Sequence, residues 1–246
     1  MAINYSPKIV TDGLVLCLDA ANPKSYPGTG TAWTDLSGNG NDATLVNGPT
    51  YSSEDNGSIV FDGTNDNAIT GSFSDDSNLA FSVFCWVYPI DLTLGSSGGT
   101  YLNWIINKRN TTSPNANQWQ FLAANSYPVF QMWDSSSNSI CGTTTEQISE
   151  SSSPLQLGVW QNIGITTTGA NGGELKIYIN GVVNYSGTLT GDRGLASKPL
   201  AIGRTGWPPG ALMWDGHISN TSIYNRALSA EEVQQNFNAT RGRYGI

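Results

Sequence analysis

The stretch FDGTNDN, residues 61–67, gathers hard oxygen donors within a few positions: the carboxylates of Asp62 and Asp66 and the carboxamide of Asn65. Oxygen ligands of this kind suit a calcium ion. The same residue types also build an ordinary tight turn. A second stretch, GRTGWPPGALMWDG (203–216), frames Trp207 with glycine and proline and carries Arg204 and Asp215 near its ends. An indole is rigid and half apolar, so a sugar ring can lie on it while a guanidinium and a carboxylate bond the hydroxyls. Trp207, Arg204 and Asp215 are therefore the candidate ligand-binding set, for a glycan or for a protein partner.

Catalytic constellations are weaker. Glycoside hydrolysis needs two carboxyl groups facing each other across a cleft, and on a strand acidic residues two apart would share a face. Asp75-Asp76, Glu231-Glu232 and the pair Glu146 and Glu150 all lack that spacing. The single histidine, His217, has no strand-to-helix nucleophile elbow to serve. One histidine also excludes a two-histidine metal site. The sequence reads as non-enzymatic, with no required cofactor and calcium as the candidate ion.

The elements that must position these residues are strands. LVLCLDA (14–20), SIVF (58–61), AFSVFCWVYP (80–89), NWIINK (103–108), QWQFLAA (118–124), VFQMW (129–133), VWQNIGITTT (159–168), ELKIYI (174–179) and PLAIG (199–203) are short apolar runs punctuated by Gly, Pro, Asn and Asp. ALMWDGHISNTSIY (211–224) is a longer one. In KIYINGVVNY, Asn180-Gly181 is the pair that a type I′ hairpin prefers, because both central residues need positive φ. One helix is predicted near the end, in ALSAEEVQQNFNATRGRYGI. Ser229 and Glu232 have the spacing of a capping box, and Leu228 and Val233 that of a hydrophobic staple. The basic tail after it could dock on the body or reach a neighbour.

Composition narrows the class. Eight Trp, ten Tyr and seven Phe supply a core while charged residues make up only 12%, so the surface must be largely Ser, Thr, Asn and Gly. That balance does not suit a disordered chain. A net charge of −8 would repel a phosphate backbone, which argues against nucleic acid and anionic membrane as partners. No apolar run reaches spanning length, so membrane insertion is not expected. The start, MAINYSPKIV, has no basic segment followed by an apolar core, which predicts assembly in a cytoplasm. Cys17, Cys85 and Cys141 are odd in number and widely spaced, so buried free thiols are expected.

Alternating strands without repeating helices predict two antiparallel sheets packed face to face, in one domain over 1–246 with its core at about 13–237. FDGTNDNAI, FSVFCWVYP, GVWQNIGITTTGANGGELKIYINGV and HISNTSIYNRALSAEEV resemble, in order and spacing, segments of laminin-G-like domains of the concanavalin-A-like lectin and glucanase superfamily. That resemblance implies an all-β jelly-roll sandwich with one short C-terminal helix. It also makes Trp33 a structural position. Relatives that hold calcium often carry an acidic pair where this chain has Ser219-Asn220.

The opening GLVLCLDAANPKSYPGTGTAWTDLSGNGNDATLVNGPTY is similar to stand-alone laminin-G-like proteins of tailed bacteriophages. The resemblance implies a virion protein, structural or decorating, whose partners are capsid, tail or fibre proteins and further copies of itself. MAINYSP and RGRYGI, which flank the matching region, are then the candidate contacts. The alternative is a carbohydrate-binding receptor module for the host surface, and a glycosidase is the third reading.

Overall fold

The computed structural model describes residues 8–73, 79–94, 96–97, 100–109, 117–136, 138–141, 149–194, 197–204 and 213–246. Two antiparallel sheets dominate, in a jelly-roll sandwich. The first, here the helix sheet, runs Val182–Thr188, Glu174–Ile179, Gln161–Thr167, Phe81–Asp91, Asp215–Tyr224, Ser58–Asp62, Thr50–Ser52, with Leu14–Asp19 also paired to Asp215–Tyr224. The second, the groove sheet, runs Ser149–Glu150, Tyr127–Met132, Asn117–Ala124, Thr100–Arg109, Lys198–Ile202, Asn67–Phe73, Ala43–Val46, Ala32–Trp33.

The strand period of two sorts the side chains. Along Phe81–Asp91, Phe81, Val83, Cys85 and Val87 enter the core between the sheets, while Phe84, Trp86 and Tyr88 point outward. Ile105, Ile106, Phe121, Phe130, Leu200 and Ile202 of the groove sheet meet them from the other side. Trp33, Trp119 and Trp214 are fully buried, so their weight is structural. All three cysteines are buried thiols outside any disulfide. Burial pushes the Cys17 and Cys85 thiols up to about 12, which keeps them protonated and inert at neutral pH.

Local signals and structure agree at the hairpin and the helix. Asn180 and Gly181 take φ of 51° and 76° between the paired residues Ile179 and Val182, the geometry of a two-residue I′ turn. The helix α1, Ala230–Thr240, starts with the expected capping box of Ser229 and Glu232. Leu228 and Val233 share one apolar cluster beside it.

The basic tail docks on the body. Arg241–Tyr244 forms a 3-10 turn, and Tyr244, only 7% exposed, stacks on Trp86 with ring centroids 4.0 Å apart. Phe237 also stacks on Trp86, whose indole N–H donates to Thr240 Oγ1 at 2.9 Å. Arg243 closes the seam with two bonds to the Asp19 carboxylate, at 2.9 and 2.7 Å. RGRYGI is thus engaged within its own chain, while MAINYSP lies outside the described residues. Among the described residues no helix is long and apolar enough to cross a membrane.

Candidate functional site

α1 and the tail pack on the outer face of the helix sheet, and the groove sheet carries an apolar cluster on its own outer face. There the register of Thr100–Arg109, Asn117–Ala124 and Tyr127–Met132 lines side chains up in rows. Leu122 opposes both Trp104 and Val129, and Gln120 opposes both Asn107 and Gln131. A bulge decides which way Trp104 faces. Ile106 pairs with Phe121 and Trp104 pairs with Leu122, leaving Ile105 as the extra residue. Ile105 and Ile106 both enter the core, and Trp104 joins Leu122, Ala124 and Val129 in a separate outer cluster.

These rows form a groove of about 250 Å³, lined by Thr100, Leu102, Trp104, Leu122, Ala124, Val129 and Gln131. Thr100, Leu102 and Gln131 are half-buried and make its mouth, while Trp104 is 5% exposed and makes its floor. None of the seven lining side chains is ionisable near neutral pH. Exposed Glu150 pairs with Val129 on the neighbouring strand. A polar chain crosses one end: Trp104 Nε1 donates to Gln120 Oε1 at 3.1 Å, and Gln120 Nε2 donates in turn to Gln131 Oε1. Beyond it, Asn107 Nδ2 donates to the carbonyl of Arg204 at 2.5 Å, and Asn107 Oδ1 is buried with no hydrogen-bond partner among the described residues. The apolar floor and amide wall can hold a small, uncharged, amphipathic ligand.

The residues singled out from the sequence fall elsewhere or at the margin. Arg204 sits at the neck of its loop, bridged to Met213, with its carbonyl on Asn107. Asp215 lies in the helix sheet, paired with both Asp62 and Asp91. Trp207 lies outside the described residues. The structure therefore brings Arg204 to the groove's margin and puts Asp215 in an acidic end of the other sheet.

FDGTNDN forms that acidic end and carries the chain from one sheet to the other. Asp62 Oδ1 accepts the N–H groups of Thr64 and Asn65 at 2.8 and 3.3 Å, and Asp66 Oδ2 accepts the N–H of Asp62 at 3.2 Å. The carbonyl of Asn65 accepts from the Asn47 and Asn67 side chains at 2.9 and 3.2 Å. These are turn bonds, and the described residues hold no group of three or more His, Cys, Asp or Glu placed to share a metal ion. Burial and the charges of Asp91 and Asp62 raise the Asp215 carboxyl above its ordinary value, and burial with Asp62 does the same to Asp66. His217 is half-buried, with Nδ1 2.9 Å from Ser58 Oγ and its ring edge-on to Tyr88 and Trp160.

Sequence reasoning passed over Trp104, Gln120 and Gln131. A tryptophan within NWIINK and a glutamine in each of the next two strands were visible, but the bulge hid the face that Trp104 would take.

Comparison with known proteins agrees with the architecture. Residues 61–234 match the Laminin_G_3 family model, described as the concanavalin A-like lectin/glucanases superfamily. Similar solved structures include the botulinum neurotoxin type G receptor binding domain, 19% identical, with a TM-score of 0.65 over 92% of this chain and 51% of that one. The botulinum neurotoxin serotype D ligand binding domain in complex with N-acetylneuraminic acid is 18% identical, with a TM-score of 0.65 over 93% and 51%. The binding domain of botulinum neurotoxin DC in complex with SialylT is 14% identical, with a TM-score of 0.67 over 94% and 52%. This chain spans about half the length of those structures. No curated protein matches it.

Proposed function

This chain belongs to the concanavalin A-like lectin/glucanase superfamily, and from that premise we propose that it is a carbohydrate-binding module that recognises a glycan without cleaving it. The observation that carries this reading is the groove, where Trp104, aliphatic walls and the Gln120–Gln131 amide chain converge on one uncharged site. Sugars present small apolar groups beside neutral polar ones, which such a lining complements. The solved relatives support it, since two of them are binding domains held in complex with N-acetylneuraminic acid or SialylT. Among the described residues of the lining there is no pair of facing carboxyl groups such as glycoside hydrolysis needs.

The proposed setting, from the sequence resemblance, is the particle of a tailed phage, with a host-surface glycan as the ligand and other virion proteins as neighbours. The relatives favour glycan recognition in that setting over a purely structural role. A glycan array identifies ligands, and titration calorimetry with the wild type and Ala124→Leu tests the site. Ala124 faces the groove, so the larger side chain fills it. Binding in the millimolar to micromolar range that Ala124→Leu abolishes, with the melting transition retained, is the expected result. An array without a hit sinks the reading.

A further inference from the structure

The groove has a polarity that its residue types alone do not reveal. An indole N–H can only donate, so the atom of Gln120 facing Trp104 Nε1 at 3.1 Å must be its carbonyl oxygen. That removes the usual freedom to flip the amide. The Gln120 NH₂ group must then point along the row, and it donates to the carbonyl oxygen of Gln131. The order Trp104 to Gln120 to Gln131 is one-directional, so it ends on the NH₂ group of Gln131. Gln131 is half-buried at the groove's mouth, and among the described residues its side chain makes no bond besides the one it accepts from Gln120. The polar end of the groove therefore offers a donor.

Beside that donor the lining is aliphatic: Leu102, Leu122, Ala124 and Val129. Trp104 contributes little exposed ring, so the floor cannot serve as an open stacking platform for a whole sugar. At about 250 Å³ the space is also smaller than the roughly 300–1,000 Å³ of drug-sized ligand pockets. What fits is a compact group with a carbonyl acceptor on one side and a methyl on the other.

Resting on the glycan-binding reading, we propose that the groove recognises the acetamido group of an N-acetylated sugar. Its carbonyl oxygen accepts from Gln131 Nε2, and its methyl lies against Leu102, Leu122, Ala124 and Val129. A buried apolar seat for the methyl and a directed hydrogen bond for the carbonyl together discriminate better than either alone.

The test measures binding of N-acetylglucosamine, N-acetylgalactosamine, glucose, glucosamine and glucuronic acid by ligand-observed and protein-observed NMR, for the wild type, Gln131→Glu and Ala124→Leu. Gln131→Glu keeps an oxygen for Gln120 to donate to and replaces only the NH₂ group. The expected result is at least about tenfold tighter binding of the N-acetylated sugars than of glucose or glucosamine, about 1.4 kcal/mol. Gln131→Glu erases that preference with an unchanged melting transition. Equal binding of glucose and N-acetylglucosamine, both blocked by Ala124→Leu, overturns the acetamido assignment and leaves the glycan site standing. Preference for glucuronic acid, or a preference for N-acetylated sugars that survives Gln131→Glu, also overturns it. Absence of binding by every sugar here and on the array overturns both.

Discussion

Replacing Tyr244 with alanine tests whether the tail is part of the folded body. Tyr244 is 7% exposed, and its ring lies 4.0 Å from that of Trp86 and 4.8 Å from that of Trp160, between centroids. Truncating a buried aromatic costs about 3–5 kcal/mol, part of it for the cavity left behind. A residue in a terminal turn lets its surroundings relax, which puts Tyr244→Ala near the low end, about 3 kcal/mol. In a chain of this size 1 kcal/mol moves Tm by about 2–4 °C, so the expected fall is about 6–12 °C. Differential scanning calorimetry reads the shift, and near-ultraviolet circular dichroism reads the loss of the Trp86 stack. An unchanged Tm with an intact aromatic signal would show that the tail does not seal Trp86, and the 3-10 turn would return to being a contact for another chain.

Gly63→Ala should be costly, because φ is +69° there and the new Cβ would lie 2.3 Å from Leu94 Cδ1 and 2.9 Å from Asp215 Cβ; a loss of about 2 kcal/mol, or about 4–8 °C in Tm, is expected by thermal melting. Asp215→Asn should stabilise the protein at pH 7. Its folded pKa lies above the ordinary value of 3.8, so the ionised form costs stability that grows as pH rises from 3.8 through the folded value. The gap between variant and wild type in urea melts should close at pH below 3.8, and a gap independent of pH contradicts the assignment. Millimolar calcium should leave Tm unchanged, since Asp62 and Asp66 are engaged in turn hydrogen bonds; a rise that saturates with calcium and is lost in Asp62→Asn would establish a metal site.

Features with local causes were legible in the sequence. Asn180-Gly181 needs only its own φ preferences, and the Ser229–Glu232 capping box needs only its own turn, so both were readable within ten residues. The alternation in FSVFCWVYP likewise sorts itself into core and outer face. The groove has no such local cause. It exists because three strands align Trp104 with Leu122 and Val129, and Asn107 with Gln120 and Gln131, across a bulge at Ile105. Register of that kind is a property of the assembled sheet. Arg204 meets the amide row through its backbone carbonyl, a contact that its side-chain chemistry does not foretell. FDGTNDN was readable as a turn, whereas its place as the passage between sheets was not.

The contacts around α1 also set how the molecule is displayed. Lys8 and Val10 bond to Gln235 and Asn236 of α1, and Tyr244 packs on Trp86, so the residues near both ends of the chain gather on the outer face of the helix sheet. The groove opens on the outer face of the opposite sheet. A label joined at the described C-terminal turn would stand behind the molecule, with the groove facing away from the point of attachment. Immobilised on a sensor through its C-terminal turn, the protein would turn the groove outward without any reorientation.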